Sequence, residues 1–150
     1  RSERIRDVLA YAISFHAELG AYYSECLLTA DDQRMEMILR YLISHERRLQ
    51  QGLRRYLEMA SDTVLESWIT FSSCAETFAE IRETLNKKGA TVGTIETLTM
   101  ELYDCIASRF KTLASKIENE EAVSLLEAIA GEETKELKKL ARNFQTFSDL

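Results

Sequence analysis

Residues 31–60 read DDQRMEMILRYLISHERRLQQGLRRYLEMA, and this stretch decides the fold. Its apolar positions recur at spacings of four and three: Met35, Leu39, Leu42, then Leu49, Leu53, Tyr56 and Ala60. That is the period of an α-helix with one face turned to a core. Asp32 stands where an N-cap belongs, and the acids Asp31 and Asp32 suit the positive end of a helix dipole. One residue breaks the stripe. Glu46 falls on the seam between Leu42 and Leu49, where a carboxylate without a partner is expensive to bury.

The segment before this helix carries the same period. Val8, Ala12, Phe15, Leu19, Tyr22 and Cys26 place a helix over about 2–29, and the central helix covers about 32–60. So short a break between two long helices forces an antiparallel hairpin. Residues 94–117 (Ile95, Leu98, Leu102, Ile106, Phe110, Leu113, Ile117) and 120–147 (Ala122, Leu126, Ile129, Glu133, Leu137, Leu140, Phe144, Phe147) repeat the arrangement. Glu133 interrupts the fourth stripe as Glu46 interrupts the second. Between the hairpins, residues 61–93 are too many for a tight turn and enough to run the length of a bundle. They contain a short helix that ends at Lys87-Lys88-Gly89, cations followed by glycine. The expected fold is therefore all-α, one antiparallel four-helix bundle over residues 1–150 with one long crossover. Trp68, inside the crossover, is expected to pin it to the bundle.

Bulk composition agrees. The chain has 150 residues, 45% apolar and 29% charged, with no proline to break a helix. A net charge of −6 disfavours a phosphate backbone as partner. The basic pairs Arg47-Arg48, Arg54-Arg55 and Lys138-Lys139 recur among acids at helical spacing, as on a solvated face. No apolar run is long enough for a membrane span, and no glycine-rich phosphate loop is present. Three cysteines, Cys26, Cys74 and Cys105, are an odd number without a CxxC pair. They read as reduced packing thiols and point to a cytoplasmic setting. The chain opens on Arg1 rather than methionine, which leaves room for a removed upstream segment.

Two acids on the seams of different hairpins are expected to meet, which requires a cation, a shared proton or an arginine between them. Arg109 lies on the third stripe between Ile106 and Leu113 and could supply a bidentate guanidinium. Glu18 with Tyr22 reads as a helix edge, and His45 as a flank residue bonded to a neighbour. Neither histidine has a serine or cysteine beside it to form a nucleophilic relay.

Several short motifs lie along these helices: Phe15-His16 with Tyr22-Tyr23, His45-Glu46-Arg47-Arg48-Leu49, Phe110 with Leu113-Ala114, and Gly131-Glu132-Glu133 through Glu136. Together they resemble the ferritin-like superfamily, nearest to rubrerythrin-type domains. In that family helices two and four each carry a Glu-x-x-His pair, and helices one and three each add a glutamate. The six side chains hold two iron or manganese ions. Carried over position by position, the resemblance makes Glu46 and Glu133 the paired glutamates. The histidine three residues on is Leu49 in one helix and Glu136 in the other, and the remaining glutamates are His16 and Tyr103. Four of the six positions depart from the pattern.

Three readings follow. In the first, the former metal site is a buried polar cluster of His16, Glu46, Arg109 and Glu133, with no cofactor. The protein then acts through packing or partner contact, as a homodimer or with another protein. Leu9, Leu27 and Tyr23 offer a second apolar strip for such an interface. In the alternative, His16, Glu46, Glu133 and Glu136 hold one iron or manganese ion, and the chain is an oxidoreductase or peroxide scavenger. An adaptor that uses the crossover for recognition is the third possibility.

Overall fold

The computed structural model describes residues 1–89 and 91–149. Four long helices dominate it: α1 (Ile5–Leu28), α2 (Gln33–Met59), and, after two shorter helices α3 (Asp62–Leu65) and α4 (Ala75–Lys88), α5 (Val92–Lys116) and α6 (Glu120–Ser148). α1 packs along α2 and α5 along α6, while α2 also meets both α5 and α6. The fold is all-α, with the expected pair of hairpins and the long crossover between them.

Local chemistry fixes the boundaries. The Asp32 carboxylate accepts from the Arg34 amide at 2.8 Å, and the Asn119 side chain accepts from the Ala122 amide at 2.9 Å. Each satisfies one orphan donor at a helix start. Thr91 and Thr94 form a reciprocal capping box at the start of α5. α4 ends at Gly89, whose φ of +83° is a conformation that side chains resist.

The stripes meet in one core that includes Ile5, Leu19, Leu42, Ile106, Phe110, Leu126 and Leu140. Each such side chain contributes about 1.5–3 kcal/mol when fully withdrawn from water. Leu9 and Tyr23 belong to this core as well, fully or almost fully buried, and Leu27 packs half-buried against it. The strip expected to form an interface is thus the inside of the bundle, because α1 buries a face wider than one stripe.

Three other expectations are corrected. Helix α1 starts at Ile5, since Ser2–Arg4 form a strand, β1, that pairs antiparallel with β2 (Trp68–Thr70) in the crossover. Trp68 does not pin that segment. It is 64% exposed, with the Arg4 guanidinium 5.0 Å above its ring, while its neighbour Ile69 is buried. The crossover is held instead by this ribbon and by Ile69 and Phe71.

The cysteines are not all reduced thiols. Cys74 and Cys105 form a disulfide that ties the start of α4 to α5, leaving Cys26 free. With that bond the thiol argument for a cytoplasmic setting falls. Among the described residues no helix is long and apolar enough to cross a membrane.

Candidate functional site: a carboxylate–imidazole centre

One layer of the bundle is polar, and all four long helices contribute to it. His16 comes from α1, His45 and Glu46 from α2, Tyr103 from α5, and Glu133 from α6, each almost or completely buried. Adjacent residues Phe15–His16 and His45–Glu46 both point inward. A helix that is covered on two sides buries neighbouring positions in this way.

His16 is the centre of the layer. Its Nδ1 lies 2.6 Å from Glu46 Oε2 and its Nε2 lies 2.8 Å from Glu133 Oε1. A neutral imidazole has one donor, so bonds from both nitrogens to carboxylates fit the doubly protonated ring. Burial alone would lower the basicity of His16, but Glu133 and Glu46 outweigh it and push its pKa up to about 10. Burial moves Glu46 up to about 7, with Glu133 adding to the rise and the charge of His16 opposing it. An imidazolium with two carboxylates carries −1, and protonation of Glu46 brings the group to zero.

A second imidazole behaves in the opposite sense. His45 is buried, and this, with the positive charges of Arg48, His16 and Lys139, holds its pKa down to about 3. It is a neutral ring inside the core rather than a flank residue. Its Nδ1 comes within 3.2 Å of Glu136 Oε2, yet the two atoms are not aligned for a hydrogen bond. Tyr103 stacks on His16 at 5.9 Å and presents its edge to His45 at 5.3 Å. Among the described residues the Tyr103 hydroxyl, Glu46 Oε1 and Glu133 Oε2 have no hydrogen-bond partner.

The structure therefore brings His16, Glu46 and Glu133 together and leaves Arg109 out. Among the described residues Arg109 forms no ion pair, and its half-buried side chain lies close enough to Tyr11 to bias that phenol. Arg109 lies beside the buried stripe formed by Ile106, Phe110 and Leu113 rather than on it, and its side chain is only half-buried. His45 and Tyr103 are the members that the stripe reading undervalued. The signal for His45 was its place beside Glu46 on a helix covered from two directions.

The residues present do not fit a two-metal centre. Leu49 has no donor atom, and both ring nitrogens of His16 are already bonded to the carboxylates that ions would need. Among the described residues no three histidine, cysteine or acidic side chains converge in a geometry that would hold a metal ion.

The architecture has a counterpart among solved structures. A Thermotoga maritima protein described as a ferritin-like diiron-carboxylate protein superposes with a TM-score of 0.62, over 97% of each chain, at 16% sequence identity. At that identity the likeness is one of fold. No protein-family model matches the chain, and no curated protein sequence does so significantly.

Proposed function

We propose that this ferritin-like fold serves here as a non-catalytic bundle, whose two central carboxylates are bridged by His16 rather than by iron or manganese, and which acts through its surface. One observation carries the reading: the His16 ring spans the gap between Glu46 and Glu133 with a bond from each nitrogen. In a carboxylate-bridged metal centre the ions stand between such acids and draw the negative charge. Here a side chain stands there. The competing reading, a rubrerythrin-type oxidoreductase that keeps one iron or manganese ion, requires His16 to release at least one carboxylate. That release exposes an uncompensated charge in the core. A homodimer remains the proposed assembly, through a face other than the buried Leu9–Tyr23 strip.

Metal content tests the proposal. The protein, purified without a histidine tag, is incubated anaerobically with Fe(II), Mn(II) and Zn(II) in turn, desalted, and measured by elemental analysis. The expected result is near zero ions per chain for all three. About one ion per chain, lost on Glu46→Gln or Glu133→Gln, overturns the proposal in favour of the redox reading.

A further inference from the structure

Beside the polar centre, between α2 and α6, lies a cavity of about 410 Å³. The sequence explains why space is left there. Leu49 and Gly52 both line it, and Gly52 contributes no side chain at all. A Cβ built on Gly52 would meet nothing nearer than the Arg55 guanidinium at 3.9 Å. Leu49, Leu53 and Ile129 make an apolar wall that is almost completely buried.

The charged residues of the lining differ in burial. Glu133, 1% exposed, and Glu136, one turn further along α6, both line it, and each keeps a carboxylate oxygen without a hydrogen-bond partner. Arg48, Arg55 and Glu132 line it as well, but as exposed residues whose charges water screens.

We propose that this cavity binds a small organic cation, with a primary ammonium against Glu133 and Glu136 and an aliphatic body along Leu49, Leu53 and Ile129. An ammonium has three donors, which suits two carboxylates that still have acceptor capacity. A metal ion fits less well, because no three ligand side chains converge among the described residues and the walls are apolar. An anion would meet Glu133 at the buried end.

Calorimetric titration of the full chain with butylamine, hexylamine and hexanoate at neutral pH tests this. Hexylamine is expected to bind at one site, with affinity rising about fourfold for each methylene added from butylamine onward. Hexanoate is expected not to bind. Because Glu133→Gln disturbs the centre itself, the diagnostic variants are Glu136→Gln, expected to weaken hexylamine at least tenfold, and Gly52→Leu, which fills the space and is expected to abolish binding with helicity unchanged. Absence of saturable hexylamine binding, equal binding of hexanoate, or binding unaffected by Gly52→Leu overturns the proposal. Displacement of bound hexylamine by stoichiometric Mn(II) does so too, in favour of a metal site.

Discussion

His16 holds its charge where water cannot reach it, so its two carboxylate partners set both its protonation and its worth to the fold. Removing one member of a buried ionic group leaves the others uncompensated, which costs about 3–5 kcal/mol, whereas replacing the whole group by apolar residues of similar size is often nearly neutral. His16→Gln is therefore expected to lose about that much stability in urea unfolding. The triple variant His16→Leu, Glu46→Leu, Glu133→Leu is expected to lose less than His16→Gln alone. If the triple variant is the weaker of the two, the three residues do not act as one unit. The acids of this group were legible in the sequence because each breaks an apolar stripe. The histidine was legible only as a candidate, since periodicity says which side of a helix a residue faces and not what meets it there. Arg109 fails because it lies beside the buried stripe rather than on it: Tyr11 and not Glu46 lies within the influence of its charge.

The crossover is the element whose details the sequence hid. Its helix α4 was readable from the cations and glycine at its end, but β1 and β2 are three residues each, too short to show an alternating period. Their pairing joins positions more than sixty residues apart: Ser2 with Thr70, Glu3 with Ile69, Arg4 with Trp68. Glu66 reinforces the junction by accepting from Arg4 and from Arg6, the latter at 2.9 Å. The disulfide was hidden for a different reason. An odd number of widely spaced cysteines carries no pairing information, and only the return of α5 past the start of α4 brings Cys105 to Cys74. That bond spans a separation of 31 residues, for which chain entropy gives about 3–4 kcal/mol. The variant Cys74→Ala, Cys105→Ala is expected to melt lower by an amount of that order, and dithiothreitol is expected to lower the melting temperature of the parent chain without affecting the variant. A parent chain indifferent to dithiothreitol would show that the bond adds nothing to stability.

For the molecule as a whole, these buried groups make stability a function of pH. His16 is raised from 6.5 to about 10 in the fold, so its contribution is complete below pH 6.5 and is lost as pH rises towards 10. Glu46, raised from 4.5 to about 7, likewise favours the folded chain on the acid side and loses that contribution as pH rises through 7. His45 acts oppositely: lowered to about 3, it contributes above pH 6.5 and loses its contribution as pH falls towards 3. The acid range is therefore mixed, while between pH 7 and 10 His16 acts with little opposition from the other two. Unfolding free energy is expected to fall there by about 1.4 kcal/mol per pH unit, and His16→Gln is expected to flatten the slope. A parent chain with constant stability across that window would place the ring in its neutral form. The architecture on which this rests was legible at once, since four stripes and one long connection admit few arrangements. The placement of His16 between two acids has a consequence of another kind. A core neutralised by a dissolved ion depends on supply: it empties under a chelator, accepts the wrong ion, and waits to be loaded after synthesis. Here the counter-charge is written into the chain itself, one imidazole for two carboxylates in every copy made. It cannot be withheld, exchanged or extracted, and the reagent that can discharge it is base.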